Sequence, residues 1–89
     1  MGELAKQPNL GPVLEAQLAR VGIHTLAQLR EAGSREAWLR IQALDESACL
    51  HRLLAMEGAI RGVKKTQLPD ETRAELRAFV QAHRKGGGR

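Results

Sequence analysis

The sequence holds one cysteine (Cys49), no tyrosine, and only Trp38 and Phe79 as large aromatic rings. A single cysteine excludes an intrachain disulfide and fits a reducing compartment. Two rings are too few for surfaces that stack exposed nucleic-acid bases. The longest strongly apolar run is Leu53-Leu54-Ala55-Met56, far short of the roughly 20 residues that span a bilayer. No charged start leads into an apolar run and a cleavage site, so no signal peptide is visible. The expectation is a cytoplasmic protein with no membrane partner. Metal-ligand spacing is missing too: His24, His51 and His83 are scattered. Cys49 and His51 stand two apart, which on a helix turns them about 200° from each other. A Cys–His nucleophile would need a supporting pocket. The expected class is therefore non-enzymatic, with no metal, no cofactor and no small-molecule substrate.

What is present is a short, helix-favouring chain. Its 89 residues are 43% hydrophobic and 27% charged, a globular balance rich in Leu and Ala. One domain of this size buries roughly 60–65% of its unfolded surface, enough for one modest core. The net charge is +4 and unevenly placed. Residues 1–45 carry five basic and five acidic side chains, whereas residues 46–89 carry nine and five. A partner attracted by charge belongs with the second half.

Glycines and prolines divide the chain into five or six short helices, expected as one all-α domain over 1–85 with a flexible Gly-rich tail at 86–89. Glu3 to Gln7 can form one weak turn, and Pro8-Asn9-Leu10-Gly11 is a turn signal. Pro12 suits a first helical position. Leu14, Leu18 and Val21 then form an apolar stripe, and Gly22 ends that helix. Thr25 caps the next helix, with Gln28 three residues later as a capping box, and Gly33 stops it. Ser34 is expected to cap a third helix, with Trp38 and Ile41 inward. Asp45 is expected to cap a fourth that runs to about Gly62. Gly58 inside it costs about 1 kcal/mol relative to Ala, which points to a neighbouring helix in close approach. Residues 62–68 read as a loop. Pro69 opens the last helix, where Asp70 and Glu71 suit the dipole and Leu76, Phe79, Val80 and His83 form the inner stripe. The expected core is Leu10, Leu14, Leu18, Val21, Ile23, Leu26, Leu29, Trp38, Ile41, Leu50, Leu53, Leu54, Ile60, Leu76, Phe79 and Val80, and Cys49 reads as a small buried hydrophobe.

Two turns have helix-hairpin-helix form. The first runs through Pro8-Asn9-Leu10-Gly11-Pro12, where amides of Leu10 and Gly11 beside a helix N-terminus suit an anion such as a backbone phosphate. Lys6 would add a charge, and Pro12 removes a donor. The second, Val21-Gly22-Ile23-His24-Thr25, reads first as a helix end, a core plug and a cap.

Together with Leu18-x-x-Val21-Gly22-Ile23-His24-Thr25-Leu26-x-x-Leu29-Arg30-x-x-Gly33, the run Leu53-Leu54-Ala55-Met56-Glu57-Gly58-Ala59-Ile60-Arg61-Gly62 and Leu68-Pro69, these segments resemble the C-terminal domain of the TfoX/Sxy competence-regulator family. The likeness covers about residues 4–80. It implies a helical fold and a regulatory role; full-length TfoX-like proteins carry a separate N-terminal domain. Val63-Lys64-Lys65 stands where the family often has an aromatic residue. Residues 3–11 also resemble the DNA-backbone-binding helix-hairpin-helix in the C-terminal domain of the alpha chain of RNA polymerase.

The expected function is a helix-hairpin-helix-like module that binds DNA backbone or a DNA-associated regulatory complex, with Lys6, Leu10, Gly11, Arg61, Lys64 and Lys65 as the nucleic-acid contacts. The alternative is a protein–protein interaction domain, pairing with itself or another chain without touching nucleic acid. Against Arg61, Lys64 and Lys65 stands the reading of ordinary solvated surface charges. Glu57, on a mostly apolar helix face, is expected to be a satisfied structural carboxylate, bonded to a helix N-terminus or an arginine.

Overall fold

A computed structural model describes residues 10–45 and 48–83; the expected turn at 3–7, Lys6 and the tail at 86–89 lie outside them. The helices are α1 (Pro12–Arg20), α2 (Leu26–Ala32), α3 (Ser34–Leu44), α4 (Leu50–Arg61) and α5 (Asp70–His83), with a short 3-10 helix at Lys65–Gln67 before α5. No strand occurs among the described residues, so the all-α expectation holds.

The α3–α4 pair is central; α2 lies against both, α5 and the 3-10 helix lie on α4, and α1 leans on α3. Trp38, fully buried, sits at the meeting of these layers. Its indole N–H donates to the Cys49 carbonyl at 3.1 Å, and its ring meets Phe79 of α5 edge-on at 6.0 Å. Every expected core residue is either buried or packed against the buried cluster. The cluster also takes in Ala37, Ala48, Ala55, Met56, Ala59 and Leu68, small or irregularly spaced positions that periodicity alone passes over.

The α1–α2 turn forms as the sequence requires. Gly22 takes φ +87°. Its N–H donates to Ala19 O (3.1 Å) and the Ile23 N–H to Leu18 O (2.9 Å), the pair of bonds that closes a helix over a left-handed residue. Ile23 then joins Leu18 in the core. The Thr25 hydroxyl accepts from the Gln28 N–H at 3.1 Å. The return arm of the expected box reaches one residue further back, where Gln28 Oε1 accepts from the His24 N–H (2.7 Å).

Four local expectations are corrected. Ser34 is not a cap. Gly33 holds that position at φ +86°, ψ 153°, so α3 starts directly after α2 and Ser34 is already helical. Its hydroxyl faces α4 and donates to Glu57 Oε1 at 2.6 Å. Asp45 ends α3 instead of opening α4. Its carboxylate accepts from Gln17 of α1 (3.1 Å) and Arg52 of α4 (3.0 Å), long-range partners invisible to a local capping rule, and α4 begins only after Cys49. Cys49 is half-buried, because the start of α4 leaves it at the rim. His83 is exposed; it lies over Phe79 with ring centroids 4.2 Å apart, covering the core's edge from outside. The buried Gln42 was not foreseen: its amide donates to the His83 carbonyl at 2.8 Å and ties α3 to the end of α5.

Candidate nucleic-acid interface

The C-terminal end of α4 gathers the basic side chains. The Gly62 N–H donates to Ala59 O (3.2 Å) and the Val63 N–H to Gly58 O (2.9 Å), which ends the helix abruptly after Arg61. The chain then turns into the 3-10 helix, pinned by the Lys64 N–H donating to Gln67 Oε1 (2.9 Å) and the Gln67 N–H donating to Lys64 O (2.8 Å). Lys64 is exposed and Lys65 half-buried. Arg61 and Lys64 therefore flank one tight helix end in the chain.

Arg30 joins them from α2, and sequence reasoning missed it. Its Nε donates to the Ile60 carbonyl at 3.2 Å, one residue before Arg61. A cation there complements the negative end of the α4 dipole. Arg30 stands in the sequence only as one position of the run that resembles the family; nothing local says which helix end it meets.

Glu57 organises the corner from below. Its side chain is 13% exposed and contacts Arg61 Nε at 2.5 Å, while accepting the Ser34 hydroxyl. The structural-carboxylate expectation holds, with the arginine and the start of α3 both supplying partners. Burial by itself pushes this carboxyl up; the hydrogen bonds from Ser34 and Arg61 and the charges of Arg61 and Arg35 outweigh burial and hold it below the ordinary glutamate value. The consequence for stability has a definite sign. A carboxylate depressed in the folded state stabilises fully above its unfolded value of 4.5, and that stability is lost as pH falls through the lower folded value. Urea midpoints measured between pH 6 and about pH 3 should fall more steeply in the wild type than in Glu57→Gln; parallel curves would disprove the assignment.

Elsewhere four arginines have acidic partners, whereas the exposed Arg20 and Arg77 have no ion pair among the described residues. Arg40 meets Glu36 (2.9 Å), Arg52 meets Asp45 (3.0 Å), Arg73 meets Asp70 (2.7 Å), and Arg35 approaches Glu75 at 4.0 Å. Exposed pairs of this kind contribute little to stability, but they do neutralise the field around them.

The two hairpin turns fare differently. In the Gly22 turn, the amides of Gly22, Ile23 and His24 are all occupied within the protein, leaving none of the three for a phosphate. At the first turn, the Leu10 side chain is 4% exposed and belongs to the core. Gly11 is exposed and precedes Pro12 as the cap of α1, with no side chain capping that end. No hydrogen bond or ion pair among the described residues joins this turn to Arg61 or Lys64. A shallow depression of about 310 Å³ beside the second turn is lined by Gly22, Ile23, Gln28, Glu31, Ala32 and Arg40. Among the described residues, no three His, Cys, Asp or Glu side chains converge as metal ligands, and no helix is long and apolar enough to cross a membrane.

Comparison with known proteins gives a consistent neighbourhood. A family model described as TfoX C-terminal domain matches residues 1–80. Protein Sxy of Escherichia coli (strain K12) is 38% identical over 75 residues, covering 84% of this chain; the chain spans only 36% of that relative's length. A crystal structure of an uncharacterised Listeria monocytogenes protein, triclinic form, matches with a TM-score of 0.88 at 41% identity, covering 91% of this chain and 92% of that one. The tetragonal form of a Listeria monocytogenes protein of unknown function gives 0.87 at 41% identity, covering 90% and 98%.

Proposed function

Since the chain belongs to the TfoX C-terminal domain family, we propose that it is a non-enzymatic helical module that holds the phosphate backbone of DNA, alone or within a DNA-associated regulatory complex. The observation that carries this reading is the Arg30–Ile60 contact, which brings a cation from α2 to the helix end bearing Arg61 and Lys64. Lys65 follows Lys64 in the same turn. The exposed start of α1 at Gly11 is a second place for a phosphate, where backbone donors of Leu10 and Gly11 and the charge of Lys6 would act. Contacts of this kind position a protein on a duplex without reading its sequence.

Fluorescence anisotropy with a labelled duplex tests the reading. Binding is expected to be weak and steeply salt-dependent. Three phosphate contacts from Arg30, Arg61 and Lys64 give a slope of log K against log salt of about −3. The triple change of these residues to Ala should abolish it. No binding in about 50 mM salt at high micromolar protein would remove the proposal.

A second reading, a protein-interaction module, is favoured by Val13 and Leu44, large apolar side chains that are 69% and 47% exposed. Sedimentation in the same salt series separates the two. Self-association that persists at high salt while DNA binding is absent favours apolar pairing, because burial of apolar surface is not screened by salt.

A further inference from the structure

Arg30 and Arg61 are held in the same way. Each guanidinium is fixed through Nε, Arg30 on the Ile60 carbonyl and Arg61 on the Glu57 carboxylate. Among the described residues neither makes another hydrogen bond, so the terminal Nη nitrogens of both stay available. Arg61 keeps 42% of its side chain exposed while Glu57 keeps 13%. Glu57 itself is held from the opposite side by the Ser34 hydroxyl. The tether is therefore anchored in the α3–α4 contact and is not a loose surface pair.

We infer that Glu57 is a positioning residue for anion capture, fixing Arg61 through Nε so that its Nη face is presented to phosphate oxygens of a nucleic-acid backbone. This role rests on the DNA-backbone reading above and deepens it. A planar guanidinium can be held at one edge and still offer a two-donor fork at another; an ammonium concentrates its donors at a single point. A long side chain already ordered in the free protein loses less freedom on binding.

The expected effect is opposite in sign to simple charge counting. Removing the Glu57 charge makes the corner more positive and, on field alone, should tighten DNA binding. With the tether lost, binding should instead weaken. Anisotropy titrations of labelled duplex, with a salt series, are run on the wild type, Glu57→Gln and Arg61→Lys, each checked for folding by thermal melting. Glu57→Gln should weaken binding by about threefold to tenfold and flatten the salt slope by about 0.9, one phosphate contact. Arg61→Lys, at unchanged net charge and on an exposed side chain, should lose about as much, and it decides the matter alone if Glu57→Gln does not fold. A parallel titration with inorganic phosphate distinguishes the ligand's source: millimolar phosphate competing the duplex off Arg61 in equal measure for the wild type and Glu57→Gln would assign the site to free phosphate and overturn the backbone claim. Binding by Glu57→Gln or Arg61→Lys as tight as wild type overturns the positioning role while leaving the DNA reading in place; failure of the wild type to bind duplex removes the reading beneath it.

Discussion

Trp38→Ala should cost about 3–5 kcal/mol, the range for truncating a large buried aromatic. Total stability for a domain of 89 residues is on the order of 5–10 kcal/mol, so the variant would sit near the unfolding threshold. The expected fall in melting temperature is on the order of 15–30 °C, read by far-UV circular dichroism because the fluorophore is gone. The magnitude follows from position. The indole is fully buried, meets Phe79 of α5 edge-on and donates to the Cys49 carbonyl where the chain enters α4. Trp38→Phe separates these roles: it keeps most of the apolar volume and removes one hydrogen bond, at about 0.5–1.5 kcal/mol, because the Cys49 carbonyl still accepts from the Arg52 N–H at 3.1 Å. A loss for Trp38→Ala below about 1.5 kcal/mol would mean that the ring does not hold α3, α4 and α5 together.

The second large effect is expected at Gly33→Ala. Gly33 sits at φ +86°, ψ 153°, a region essentially closed to L side chains, where occupancy costs about 1–3 kcal/mol. A Cβ placed there meets no atom within 4 Å, so the penalty is one of backbone conformation with no contribution from crowding. Gly11→Ala is the matched control: that glycine caps α1 from ordinary extended backbone, φ −108° and ψ 179°, with equally open surroundings. It should cost only a few tenths of a kcal/mol to about 1 kcal/mol. Urea denaturation of both variants measures the difference; equal midpoints would show that the α2–α3 junction relaxes freely. The junction also matters to the basic corner. Gly33 sets how α2, carrying Arg30, meets α3, carrying Ser34, and both side chains reach α4. Gly33→Ala should therefore weaken the proposed DNA binding as well as stability.

The basic corner was only partly legible in the sequence. Arg61, Lys64 and Lys65 are close in the chain, so their proximity needed only a tight end to α4, and Gly62 supplies it. Glu57 stood out as an acid on an apolar face. Arg30 could not be found this way. It lies 30 residues from Ile60, and the contact depends on how α2 lies against α4. Asp45 and Ser34 were misread for a related reason. Both are good caps by residue type, but a side chain's partners include whatever the packing brings near, and here Arg52 and Gln17 bond Asp45 and Glu57 bonds Ser34.

Residue order alone determined the all-helical class, the turn at Gly22 and most of the core, because helix periodicity, glycine conformation and apolar burial act over a few residues and need no distant partner. Packing decided which groups of different helices meet, as Arg30 meets Ile60, Ser34 meets Glu57 and Gln17 meets Asp45. Those contacts depend on distances between groups far apart in the chain, and such distances exist only once the helices have docked.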